Sequence, residues 1–257
     1  MPVMPGAEPY THHGGPVGVL LCHGFTGTPH SLRPWGEYLA GAGLTVSLPR
    51  LPGHGTTWQE LARTRWEDWY AEVDRALEGL AKRTDEVFVM GLSLGACLAL
   101  RLAEIHGDAI SGLVLVNPSI TLDSGIRLKI LFAVAPVLKH ILPSVKGIAS
   151  DIKKEGEHEL AYDRTPVKAA ASLPGIWNLT SEGLGRVTQP VLVFKSPEDH
   201  VVGPDSLGVL RRTLPASQLT VRTCADSYHV ATLDNDAPVI FEGSLEFVRA
   251  HSRVGKG

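Results

Sequence analysis

The feature that most restricts this chain is a short run, Gly91-Leu92-Ser93-Leu94-Gly95, set between an apolar stretch at Glu86–Met90 and an Ala- and Leu-rich one at Leu94–His106. The first stretch has the length and continuity of a strand buried on both faces, and the second reads as a helix. A serine on so sharp a strand-to-helix turn needs a glycine on either side, because larger side chains would collide with neighbouring chain segments. Its hydroxyl is then left pointing into open space. Ser93 is therefore the candidate nucleophile, and the fold must carry this turn at the edge of a sheet.

The same alternation runs along most of the chain. Val17–Cys22 and Leu44–Leu48 read as buried strands with a helix at Ser31–Ala42 between them. A helix at Trp66–Arg83 precedes the turn, and a strand at Gly112–Val116 follows its helix. After Asn117-Pro118 the rhythm stops, with no convincing buried strand until Pro190–Phe194. A helix at Asp205–Thr213, a strand at Gln218–Arg222 and a helix at Asp236–Arg249 close the pattern. Strands alternating with helices imply an α/β fold, a mostly parallel central sheet covered on both faces. The expected organisation is one core domain from residues 1–118 and 178–257, interrupted by an inserted cap, or lid, at residues 119–177. Residues 1–16, rich in Gly, Pro and His, are expected to form an arm on the domain rather than part of its sheet.

Within the insertion, the apolar stretch Ile126–Leu142 is broken by Arg127, Lys129, Pro136, Lys139 and His140. It suits an amphipathic or kinked helix better than a membrane span. Such a helix could bind an acyl chain, touch lipid aggregates, or simply pack on the domain. Asp151–Glu159 is highly charged and reads as solvated, although a residue such as Glu155 could reach a polar head such as glycerol.

Three further segments supply chemistry to the turn. His23-Gly24-Phe25-Thr26-Gly27 directly follows the first long strand. The amides of Phe25 and Leu94 are candidate donors to the negative charge of a tetrahedral intermediate, one such donor being worth roughly 3 kcal/mol in the transition state. The His23 side chain, and His54 in Pro52-Gly53-His54-Gly55, read as packed structural residues. Late in the chain, Ser196-Pro197-Glu198-Asp199-His200 follows a buried strand and offers two adjacent acids. The earlier position for an acid is occupied by Asn117-Pro118. Finally, His229 lies between the last strand and the last helix, whereas His251 is at that helix's far end and His200 reads as a surface residue. The order serine, acid, histidine is that of a hydrolytic triad on this kind of sheet.

Composition narrows the partners. A formal net charge of -3 and the absence of a Lys/Arg run leave no footprint for nucleic acid or an anionic membrane surface. A small molecule is the expected partner. Cys22, Cys97 and Cys224 sit in or beside apolar segments, as core thiols do in a reducing compartment. The N-terminus lacks the basic patch and apolar run of a secretory signal, so a cytoplasmic location is expected. No His-x-x-x-His or paired-Cys spacing suggests a metal, and no cofactor is expected.

These motifs together resemble a bacterial carboxylesterase and monoacylglycerol lipase family of the α/β-hydrolases. The likeness covers the segments above together with Trp66-Glu67-Asp68-Trp69, Asp199-His200-Val201-Val202 and Ser227-Tyr228-His229-Val230-Ala231-Thr232-Leu233-Asp234. It implies that Ser93, Asp199 and His229 form a triad, with Asp199 preferred over Glu198. It further implies that Phe25 and Leu94 supply the oxyanion amides, and that the substrates are monoacylglycerols or short- to medium-chain acyl esters. Two positions depart from the family pattern: Ala96 stands where a second glycine is expected, and Tyr228 replaces the glycine before the histidine. The second bears on substrate preference more than on reaction type, through the backbone near His229 or the width of the site. The same fold also carries thioesterases, carbon-carbon hydrolases, perhydrolases, acyltransferases and non-catalytic binding modules, which remain the alternatives.

Overall fold

The computed structural model describes residues 2–122, 142–147 and 150–254. Its centre is a sheet of seven strands: β1 (Tyr10–His12), β2 (Val17–Cys22), β3 (Thr45–Leu48), β4 (Glu86–Leu92), β5 (Gly112–Val116), β8 (Val191–Lys195) and β9 (Leu219–Thr223). They lie in the order β1-β3-β2-β4-β5-β8-β9, and all neighbours but β1 and β3 run parallel. Register is set by apolar residues on both faces, as in Val19 opposite Phe88 and Met90 opposite Val114 on one, and Leu20 opposite Val89 and Leu113 opposite Val191 on the other.

Alternation along these strands divides the core. Leu20, Val89, Leu113 and Val193 face one layer, formed by α3 (Trp66–Ala81) and α4 (Leu94–His106). Val19, Phe88, Val114 and Phe194 face the other, formed by α1 (Arg33–Gly41) and α8 (Ala237–His251). Continuous burial of a strand therefore reflects two cores, one for each set of alternate side chains.

The expectation for the N-terminal arm is corrected. Tyr10–His12 joins the sheet antiparallel to β3, with Tyr10 opposite Leu48 and His12 opposite Val46. Three residues with two half-buried rings are too short a run to show a readable period, yet β3 is fully buried and its outer edge needs partners for its amides and carbonyls. Tyr10 is anchored by the Arg33 guanidinium 5.2 Å above its ring.

Among the described residues, the interval after Asn117 has two short strands, β6 (Ser144–Lys146) and β7 (Arg164–Pro166), which pair with each other. They are followed by the short helix α5 (Val167–Ala170) and by α6 (Leu173–Gly183), which packs on α4. The apolar segment expected to form a helix over Ile126–Leu142 lies outside the described residues except for Leu142, which is exposed. The short helices α2 (Trp58–Leu61) and α7 (Asp205–Thr213) complete the chain. No described helix is long and apolar enough to cross a membrane.

Candidate active site

β4 ends at Leu92 and α4 begins at Leu94, leaving Ser93 between them with φ 57° and ψ −117°. A non-glycine residue here carries backbone strain of about 1–3 kcal/mol, so the surroundings must hold it. The Ser93 amide donates to the Val116 carbonyl at 3.0 Å, and its own carbonyl accepts from Ala96 at 3.1 Å and Ser119 at 3.2 Å. The flanking glycines are required by contact. A Cβ on Gly91 would lie 2.3 Å from the Gly95 backbone, and one on Gly95 would lie 1.9 Å from the Cys22 carbonyl oxygen. Ala96 is buried without such a conflict, so the missing second glycine leaves the turn intact.

Helix α4 starts at Leu94, whose amide is one of those that no intrahelical carbonyl can take, and the positive end of the helix lies at Ser93. The loop after β2 comes up beside it, so that a Cβ on Gly24 would stand 3.5 Å from that of Ser93. Phe25, Ser93, Leu94 and His229 line one cavity of about 240 Å³. The loop is held from behind by histidines in structural roles, as expected. The Leu51 amide donates to His23 Nε2 at 3.1 Å, and His23 Nδ1 lies 3.0 Å from the Gly24 carbonyl. Burial drives the His23 pKa down to about 4 and that of His54 well below its usual range, so both are neutral. The Phe25 ring packs on Trp69 and His54 at 5.3 and 6.2 Å.

The two late acids point in opposite directions. The Asp199 side chain is 1% exposed, with its carboxylate oxygens 3.0 and 3.1 Å from His229 Nδ1. Glu198 is 56% exposed and pairs with Lys153. Asp199 also accepts the amides of Val201 and Val202 at 2.9 and 2.8 Å and the ammonium of Lys195 at 2.6 Å. Burial raises its pKa, but the opposing effects of the His229 and Lys195 charges and hydrogen bonds hold it well below the usual carboxylate range. His200 is exposed, as expected, and bonded to Asp151.

Several functional neighbours escaped the sequence reading. In the sequence, Asn117 marks only the lack of an acid. Its Nδ2 donates to Ser196 Oγ at 3.1 Å and to the His229 carbonyl at 2.8 Å, while its Oδ1 accepts from the Ser196 amide at 2.8 Å. One buried amide thus ties the acid loop to the histidine loop. Asp151, from the charged segment read as solvated, accepts the His229 amide at 3.0 Å and the His200 amide at 3.1 Å. Tyr228 does not line the cavity. Its ring meets His200 at 4.5 Å and lies beneath Lys153, outside the expected narrowing of the site. A run of polar residues offers no signal for such long-range bonds.

Asn117→Ala is expected to lower kcat about a hundredfold with little change in KM, because loosening two loops by an ångström misaligns the reacting groups without emptying the pocket. Steady-state kinetics on a p-nitrophenyl ester, with a thermal melt to verify folding, would check this. An unchanged kcat would show that Asn117 is dispensable to the alignment.

The cavity has an apolar wall of Phe25, Leu122, Leu173, Trp177 and Val202. Glu159, rather than Glu155, reaches it, together with Asp151. Burial pushes the Glu159 pKa up to about 7, against the lowering effects of the His229 charge and a Ser31 hydrogen bond. Its Oε1 would be 2.5 Å from a Cβ on Gly27, so that glycine makes room for the carboxyl group.

A family model described as Serine aminopeptidase, S33, matches residues 17–236. The chain is 42% identical over 252 residues to a thermostable monoacylglycerol lipase of Bacillus sp. (strain H-257), covering 98% of each chain. It is 26% identical to a carboxylesterase of Bacillus subtilis, covering 94% of this chain and 96% of that one. Among solved structures, one from a study of the metagenome-derived lipolytic enzymes LipS and LipT superposes with a TM-score of 0.92 at 40% identity, covering 97% of this chain and 100% of that one.

Proposed function

The chain belongs to the Serine aminopeptidase, S33, family of α/β-hydrolases and is a carboxylic ester hydrolase, and from that premise we propose that Ser93, His229 and Asp199 carry the reaction and that monoacylglycerols are its substrate class. The observation that carries this reading is a single cavity bearing a serine on a strained turn, a histidine backed by a buried aspartate, an apolar wall and two acids, Asp151 and Glu159, in its polar lining.

In the first half-reaction, Ser93 Oγ attacks the ester carbonyl while His229 takes its proton. Asp199 orients the imidazole and stabilises the imidazolium that forms. The amides of Phe25 and Leu94 receive the oxyanion, assisted by the end of α4. His229 returns the proton to the leaving alcohol, which departs and leaves Ser93 acylated. Water, deprotonated by the same histidine, then releases the acid and restores Ser93. The apolar wall suits an acyl chain, and Glu159 suits the hydroxyls of a glyceryl head. Residues 119–177 serve as the cap, with transient contact to lipid surfaces through it. Three free, buried cysteines agree with a cytoplasmic setting.

The direct test is hydrolysis of p-nitrophenyl esters from acetate to palmitate beside a monoacylglycerol, with an amino-acyl p-nitroanilide for the peptidase activity in the family's description. Ester turnover with preference for the glyceryl substrate is expected. Turnover of the anilide alone would overturn the substrate assignment.

Glu159 supplies a sharper test of the head group. Its raised pKa means that the carboxylate forms as pH rises through about 7, so KM for the monoacylglycerol, relative to that for a p-nitrophenyl ester, is expected to fall over that interval. Glu159→Gln should abolish this dependence and raise KM for the glyceryl ester about tenfold at pH 8, the worth of a charge-assisted hydrogen bond. Equal changes for both substrates would remove Glu159 from head-group binding.

A further inference from the structure

We propose that Lys195 is a positioning residue of the reaction, sharing the Asp199 carboxylate with His229 and setting a fixed positive charge against the imidazolium that forms when His229 takes the Ser93 proton. The inference rests on the assignment of Ser93, His229 and Asp199 above.

Lys195 ends β8, one turn of chain before the acid, and its side chain is 13% exposed. Its Nζ donates to Asp199 Oδ2 and to the Val202 carbonyl, both at 2.6 Å. The same Oδ2 lies 3.1 Å from His229 Nδ1. Two nitrogens on one carboxylate oxygen fall within the ~4–6 Å range over which a like charge disfavours ionisation. An imidazolium formed at His229 is therefore attracted by Asp199 and repelled by Lys195.

The acid loop does not need this ammonium merely to hold its shape. Asp199 Oδ1 already takes the amides of Val201 and Val202, and Asn117 fixes Ser196. A buried ammonium is costly to desolvate, so its placement on the acid that faces the base points to an electrostatic role. The other charges around His229 are mostly acidic. Asp151 bonds the His229 amide, Glu159 stands on the same cavity, and Asp234 accepts the Tyr228 amide. Lys146 lines the cavity, and Lys153 lies over the Tyr228 ring and pairs with Glu198 and Asp226. Neither lysine contacts Asp199. His200, beyond Tyr228, is paired with Asp151.

The test compares wild type with Lys195→Gln, Lys195→Met and Lys195→Arg. The readouts are the pH profile of kcat/KM on p-nitrophenyl butyrate and that of the fluorophosphonate labelling rate at Ser93. In the neutral variants Asp199 acts on His229 unopposed, so the base is lost at higher pH, and the acid limb of both profiles is expected to move up by about one unit. Lys195→Arg keeps the charge and should keep the limb. The low-field proton resonance of the His229–Asp199 hydrogen bond, titrated by NMR, should move with the kinetic limb. A limb that stays in place or moves down in the neutral variants, in an active protein, overturns the proposal. So does failure of both neutral variants to fold while Lys195→Arg folds, since the ammonium then serves the fold. A wild type that neither hydrolyses the ester nor labels at Ser93 instead removes the underlying triad assignment.

Discussion

Replacement of Ser93 by alanine is expected to lower kcat on any ester by about 10⁵- to 10⁶-fold, the scale seen when a triad serine is removed and only oxyanion donors and binding remain. The fold should be little affected. What holds the turn is the Ser93 backbone, through Val116, Ala96 and Ser119, and a methyl group leaves those bonds in place. Alanine also inherits the positive φ at much the same strain as serine. Initial rates on p-nitrophenyl butyrate, fluorophosphonate labelling and a thermal melt would settle the point together. Retained turnover with an unchanged melt would mean that another group is the nucleophile, and covalent labelling elsewhere would identify it.

The second large effect is expected at Gly95, where alanine should damage both stability and activity. Its Cβ would fall 1.9 Å from the Cys22 carbonyl oxygen, 2.4 Å from the Cys22 carbonyl carbon and 2.8 Å from the His23 carbonyl oxygen. These are backbone atoms, with no flexible side chain to swing aside. Helix α4 must move away from the end of β2, which opens a buried interface and parts Leu94 from the loop that bears Phe25. An overpacked site of this kind costs about 3 kcal/mol or more, and roughly 6–12 °C in Tm for a chain of this size. Parting the two proposed oxyanion donors is expected to add a loss of about 10²- to 10³-fold in kcat. Calorimetry and steady-state rates on the same preparation would test both. A Gly95→Ala protein with wild-type Tm and rate would show that the helix and strand approach less closely than described.

The order of the main elements was legible because burial on both faces of a parallel sheet writes itself as unbroken apolar runs. The strands at Val17, Glu86, Gly112 and Val191 are of this kind. β1, β6 and β7 were not legible, since three residues cannot show a period and each depends on a partner distant in sequence or on its own short pairing. The positions of Ser93 and His229 could be read from the elements that flank them. The direction of Glu198 and Asp199 could not, because adjacent residues on a loop differ only in which way the backbone turns them.

By itself, the sequence determined the alternation of strand and helix, the strained turn at Ser93 with its obligatory glycines, and the order of serine, acid and histidine along the chain. Each of these depends on local sterics or on a periodic apolar pattern, which near neighbours in the chain are enough to specify. Only the tertiary structure decided that Asn117 joins the loops bearing Asp199 and His229, that Asp151 braces them from the interval after Asn117, that Glu159 rather than Glu155 enters the cavity, and that Lys195 shares the Asp199 carboxylate. Apart from the last, these placements join residues from separate segments of the chain. In every case the contact depends on where a polar side chain points after the sheet has assembled, and neither propensity nor spacing encodes that direction.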